Sequence, residues 1–175
     1  MVATYELGRG FTLKRMFDAP PDMVFQAWTD PQYLDWYFNP GMPVTEPVTV
    51  DLRVGGEWRQ QMVINADNQF MTGGIFREIV PNEKLVFAHG AIDGWPKLDR
   101  ERLDEGPLCT VLLRPVGERT EMTFHVQLPD HISDEKTNEW LATGMREGWS
   151  MTIDRLVAHY ASEAETAKTG TGSHN

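Results

Sequence analysis

The apolar positions of this chain follow two periods, and where one gives way to the other the chain divides into helix and sheet. Residues 11–17 alternate, with Phe11, Leu13, Arg15 and Phe17 on one side and Thr12, Lys14 and Met16 on the other, which predicts a strand with one imperfect apolar face. Ala19-Pro20-Pro21-Asp22 ends it; Asp22 is placed to cap a helix, and Val24, Ala27 and Trp28 then recur at helical spacing. Asp30-Pro31 closes that helix, and residues 32–38 predict a second short helical turn, stopped by Asn39-Pro40-Gly41.

From Val48 the period is two. Residues 48–52 and 57–64 read as a hairpin across Val54-Gly55-Gly56, with Trp58, Gln60, Met62 and Ile64 on one side. After a turn at 66–68, residues 70–80 and 84–89 predict two more strands, and Gly73-Gly74 predicts a bulge or a strong bend in the first. Residues 92–106 are charged and turn-rich, a loop with room for one helical turn near 98–103. Residues 108–114 and 121–128 complete a last hairpin.

Ser133 can then cap a helix whose first turn holds Asp134 and Glu135 and which runs to about Tyr160, roughly 40 Å. Leu141, Met145, Trp149, Ile153, Leu156 and Tyr160 form its apolar stripe. Gly144 and Gly148 interrupt that pattern at about 1 kcal/mol each relative to alanine, which predicts a bend, a close approach to other backbone, or space beneath the helix. After Ser162 the composition turns to Thr, Gly, Ala and Ser and predicts a disordered tail over 162–175, leaving one domain at 10–161.

A run of antiparallel hairpins has one apolar face to hide, and the long amphipathic helix is the element able to cover it. The fold class is therefore α+β: a curved sheet of six to seven strands wrapped around a C-terminal helix, with two short helices after the first strand. If the sheet curls further than side chains can fill, an interior cavity follows, and the methionines and aromatics among the inward positions suit an adaptable lining.

Composition narrows the function classes. With 16 basic and 26 acidic residues the net charge is -10, which opposes phosphate backbones and anionic lipid and argues against a nucleic-acid partner. No apolar run approaches the roughly 20 residues needed to span a bilayer, no leader pattern opens the chain, and the single cysteine, Cys109, forbids an internal disulfide. The expectation is a cytoplasmic protein without membrane insertion.

Four ordered blocks, residues 18–38 (DAPPDMVFQAWTDPQYLDWYF), 51–62 (DLRVGGEWRQQM), 74–87 (GIFREIVPNEKLVF) and 144–156 (GMREGWSMTIDRL), resemble the activator of heat-shock-protein-90 ATPase homologue-like family of the START/SRPBCC superfamily. The resemblance covers about residues 10–160 and implies the helix-grip fold, with a cavity between sheet and helix. It implies a container and leaves its content open; the expected content is a small hydrophobic or aromatic molecule. It also leaves open a chaperone-interacting role, or a cyclase or hydrolase activity carried by a cavity carboxylate or histidine.

The expected lining residues are Trp36, Trp58, Met62, Phe76, His89, Phe124, Met145 and Trp149. No catalytic residue, cofactor or metal ligand is assigned: GxSxG, HExxH and HxH are absent, and Cys109 has no flanking histidine. His125 is expected to face solvent, and Glu78, which pure alternation puts on the side of Gly74 and Phe76, is the carboxylate most suited to enter the cavity. Trp95 in the 92–106 loop reads as solvated, with a plug at the cavity mouth as the functional alternative. The assembly is expected to be a monomer or a homodimer formed through an exposed strand edge.

Overall fold

In the computed structural model the described residues are 10–33, 48–65, 68–91, 101, 106–129, 133–142 and 145–172, with backbone alone at 32, 62–65, 68–70, 91 and 162–172. Strand β1 (Gly10–Phe17) leads into α1 (Pro21–Thr29) and a 3-10 turn (Pro31–Tyr33). Six further strands follow: β2 (Thr49–Val50), β3 (Glu57–Asn65), β4 (Asn68–Val80), β5 (Lys84–Ala91), β6 (Leu108–Val116) and β7 (Arg119–Gln127). Helices α2 (Asp134–Leu141) and α3 (Met145–Gly172) close the order.

All seven strands lie in one antiparallel sheet ordered β1-β7-β6-β5-β4-β3-β2. Successive hairpins build β2 to β7, and β1 joins the far side by pairing with β7, Leu13 opposite Phe124. One face carries Phe11, Leu13, Phe17, Trp58, Phe76, Leu85, Phe87, Val111, Met122 and Phe124, and against it pack Val24, Phe25 and Trp28 of α1 and Trp149, Ile153, Leu156 and Tyr160 of α3. This is the helix-grip arrangement that the periodicity and the resemblance predict.

Several expectations are corrected. Pro20, extended at φ -71 and ψ 161, is the N-cap of α1, and Asp22 lies inside the first turn, where its charge faces the positive end of the helix. The continuous helix from 133 is two helices: Ser133 does cap α2, its side chain accepting from the Lys136 N–H at 3.1 Å, but α2 ends at Leu141 with Ala142 as its C-cap. Gly148 of α3 is exposed and a Cβ there would meet nothing within 4 Å, so it answers no close approach to the sheet. The backbone of α3 extends to Gly172.

The bulge expected at Gly73-Gly74 lies three residues later. Phe76 pairs with Phe87 but Glu78 pairs with Val86, so Arg77 is the extra residue. Gly74 instead answers a crowding requirement, because a Cβ there would stand 2.9 Å from both the Ala88 carbonyl oxygen and the Phe87 ring.

Candidate functional site

Alternation along β3, β4 and β5 brings one polar and one aromatic set to the same end of the gripping face. Trp58, Gly74 and His89 face one another across adjacent strands, with Gln60 and Thr72 paired in the next row. Glycine between the two rings lets them approach, and their centroids are 6.1 Å apart. Phe87 adds an edge to Trp58 at 5.7 Å, and Trp149 of α3 closes over His89 at 5.1 Å. Farther along, Phe124 meets Trp149 at 4.7 Å and stacks with Trp28 at 5.5 Å.

Three polar side chains sit in this wall. Gln60 is fully buried and its Oε1 accepts from the Trp58 indole N–H at 3.0 Å. The Thr72 hydroxyl donates to the Gly90 carbonyl at 3.1 Å and lies 3.3 Å from His89 Nε2. With the hydroxyl proton directed at Gly90, the oxygen can accept from an N–H on Nε2. Burial lowers the pKa of His89 to about 4, so the ring is neutral at pH 7. The wall therefore offers aromatic faces and uncharged hydrogen-bonding groups.

Of the expected lining residues, Trp58, His89, Phe124 and Trp149 form one connected set of rings. Phe76 is core beside them, opposite Phe87, and Met145 packs partly buried at the start of α3. Trp36 and the Met62 side chain lie outside the described residues, as does Trp95. Gln60, Thr72, Phe87 and Trp28 belong to the set without having been singled out; their positions on the inward side of Trp58, His89 and α1 were the available signal.

Glu78 is corrected: the extra residue at Arg77 turns it to the outer face, where it is half exposed and pairs with Lys84 at 3.0 Å. Glu57 and Glu121 also pair outside, with Arg59 at 3.9 Å and Arg114 at 3.1 Å. Among the described residues no strand carboxylate faces the aromatic wall. His125 is corrected as well. It is only 4% exposed, its Nδ1 is 2.8 Å from the Thr12 hydroxyl, and burial lowers its pKa, because β7 lies inside the sheet between β1 and β6. Burial pushes the Cys109 thiol far up, so it is no nucleophile. Among the described residues no group of three His, Cys, Asp or Glu is placed to hold a metal ion, and no helix is long and apolar enough to cross a membrane.

A family model described as "Activator of Hsp90 ATPase homolog 1-like protein" matches residues 18–161. Comparison with curated proteins gives no match. Among solved structures, a protein from Arthrobacter aurescens is 25% identical with a TM-score of 0.70, the match covering 93% of this chain and 93% of that one. A protein from Rhizobium loti is 25% identical with a TM-score of 0.62, covering 85% of this chain and 94% of its own. A structure described as the Aha1 dimer from Colwellia psychrerythraea shares the fold at 14% identity and TM-score 0.60, over 86% of this chain and 95% of that one.

Proposed function

Because the chain belongs to the Activator of Hsp90 ATPase homolog 1-like family, whose fold encloses one face of a sheet under a helix, we propose that it binds a small, largely apolar aromatic molecule at the ring-lined end of that face. The observation that carries this reading is the polar set of buried Gln60 and Thr72 and partly buried His89 beside Trp58, Phe87 and Trp149. Burying polar side chains adds little stability over apolar ones of the same shape, whereas aromatic walls with a few placed polar groups are what orient a bound small molecule. The hollow itself, and the contributions of Trp36, Met62 and Met145 to its lining, belong to the proposal. No cofactor, metal or catalytic residue enters it.

Trp58 and Trp149 report on occupancy through their own emission. Titration with 1-naphthol, a fatty acid and a sterol should give saturable quenching with the aromatic probe. Gln60→Leu, which keeps shape but removes the amide, should weaken it about tenfold. Absence of saturation with all three probes, or undiminished binding by both Gln60→Leu and His89→Leu, overturns the reading.

The family description supports a second reading, docking to a chaperone, and the structure from Colwellia described as an Aha1 dimer brings a homodimer with it. Measuring chaperone ATP turnover with and without this protein, alongside sedimentation of the protein alone, separates the two: a rise in turnover carried unchanged by Gln60→Leu favours docking over ligand binding.

A further inference from the structure

His89 combines two properties that point to an enclosed space. The residue is partly exposed, yet Trp58, Thr72, Phe87 and Trp149 around it are buried. Burial also lowers its pKa to about 4 from the ordinary 6.5, a shift that an imidazole facing bulk water does not undergo. A residue that is reachable and still carries a desolvated ring is what the wall of an interior recess presents. Its place is fixed on both sides of β5: the His89 N–H donates to the Pro107 carbonyl at 3.0 Å, and Gly74 stands opposite it on β4.

The three polar side chains of that wall, Gln60, Thr72 and His89, are uncharged at pH 7. Gln60 Oε1 accepts from the Trp58 indole N–H at 3.0 Å, and the Thr72 hydroxyl lies 3.3 Å from His89 Nε2. About one His89 ring in a thousand is protonated at that pH. A neutral imidazole has one nitrogen that donates and one that accepts, so it suits a hydroxyl, a carbonyl or an amide, whose desolvation one hydrogen bond offsets. It does not compensate an ion. The desolvation that drives the proton from His89 belongs to the place, and it acts on a carboxylate or an ammonium brought there as it acts on the ring. Resting on the ligand reading above, we propose that the site takes its aromatic guest uncharged, with a hydroxyl or similar neutral group hydrogen-bonded to the His89 ring, and that His89 sets this specificity against charged guests.

Equilibrium dialysis of the full chain at pH 7 against naphthalene, 1-naphthol, 1-naphthoate and 1-naphthylmethylammonium tests this, because the four share one ring system and differ in the polar group. The expected result is 1-naphthol bound about three- to tenfold more tightly than naphthalene, and at least about tenfold more tightly than either ion. In His89→Leu the ratio of naphthol to naphthalene affinity should fall to about one, and His89→Gln, which returns a neutral hydrogen-bonding group, should recover most of it. Reading each variant as a ratio of two guests cancels a general loosening of the site. The ion comparison needs no variant, so it decides the matter even where His89→Leu fails to fold. An ion bound as tightly as 1-naphthol, or an unchanged naphthol-to-naphthalene ratio in His89→Leu, overturns this inference and leaves the ligand reading standing. Absence of saturation with all four compounds overturns both.

Discussion

Gly148 is the fourth residue of α3, exposed, with nothing within 4 Å of where a Cβ would stand. Its helical position gives up chain entropy for no contact, so Gly148→Ala should stabilise the protein by about 0.5–1 kcal/mol, read as a raised urea midpoint at constant m-value. A lowered midpoint would mean that space at this position is used. His89 acts in the opposite sense. Its folded pKa of about 4 lies below the ordinary 6.5, so between those values the unfolded chain binds more protons and stability falls as pH falls. Between pH 7 and pH 5 the loss through this one ring is about 2 kcal/mol, and His89→Gln should remove that share of the pH dependence in unfolding curves at the two pH values. A variant with the same pH dependence as the parent contradicts the neutral ring. Single residues were legible where one period settles them: Trp58, Phe124 and Trp149 were assigned inward by alternation and by the 3.6 repeat. His125 was not, because alternation states which side of a strand a residue takes and says nothing of how crowded that side is between Thr12 and the buried Thr110.

At the scale of elements, strand order and hairpin positions could be read from the period of two, while parity within a strand could not. One unpaired residue at Arg77 reverses every later position of β4, and only the register with β5 exposes it. The division of the last helix has a similar cause: the stripe from Leu141 to Tyr160 continues across the break, so periodicity sees one helix, and the end of α2 at Ala142 is marked only by the poor helix formers Thr143 and Gly144 that follow. A polar tie between β1 and α3 comes from an arginine that looked like a flaw in the apolar face of β1. Arg15 Nε donates to Asp154 Oδ1 at 2.7 Å and Nη2 to Ser150 Oγ at 2.7 Å, one turn apart on α3, which ties the helix to β1 next to Trp149 in sequence. A lysine ammonium is a point charge that cannot hold both oxygens in this fork. Arg15→Lys should therefore cost about 1 kcal/mol in denaturant unfolding, with Ser150→Ala adding little on that background and more on the parent. Independent, additive losses would show that the two bonds do not act as one clip.

For the whole molecule the question is where the folded unit stops. The apolar contacts of α3 are made by Trp149, Ile153, Leu156 and Tyr160, all buried. Tyr160 is the last anchor: its ring meets the edge of Phe17 at 6.1 Å and its hydroxyl donates to the Met23 carbonyl at 2.9 Å, tying α3 to both β1 and α1. The family match ends one residue later, at 161. Helix beyond that point, to Gly172, includes Thr169-Gly170-Thr171-Gly172, poor helix formers that add little to stability on their own. A chain shortened after Ala161 should melt within about 2 °C of the parent, because a change below 1 kcal/mol moves a domain of this size by no more than a few degrees. Tyr160→Ala in the full chain supplies the contrast. Removing a buried ring and its hydrogen bond costs about 3–5 kcal/mol, a drop of about 10 °C. Should the shortened chain melt as low as that variant, residues 162–172 are part of the cooperative unit, and composition misjudged them for the same reason that periodicity missed the break before α3: neither detects a contact made at a distance along the chain.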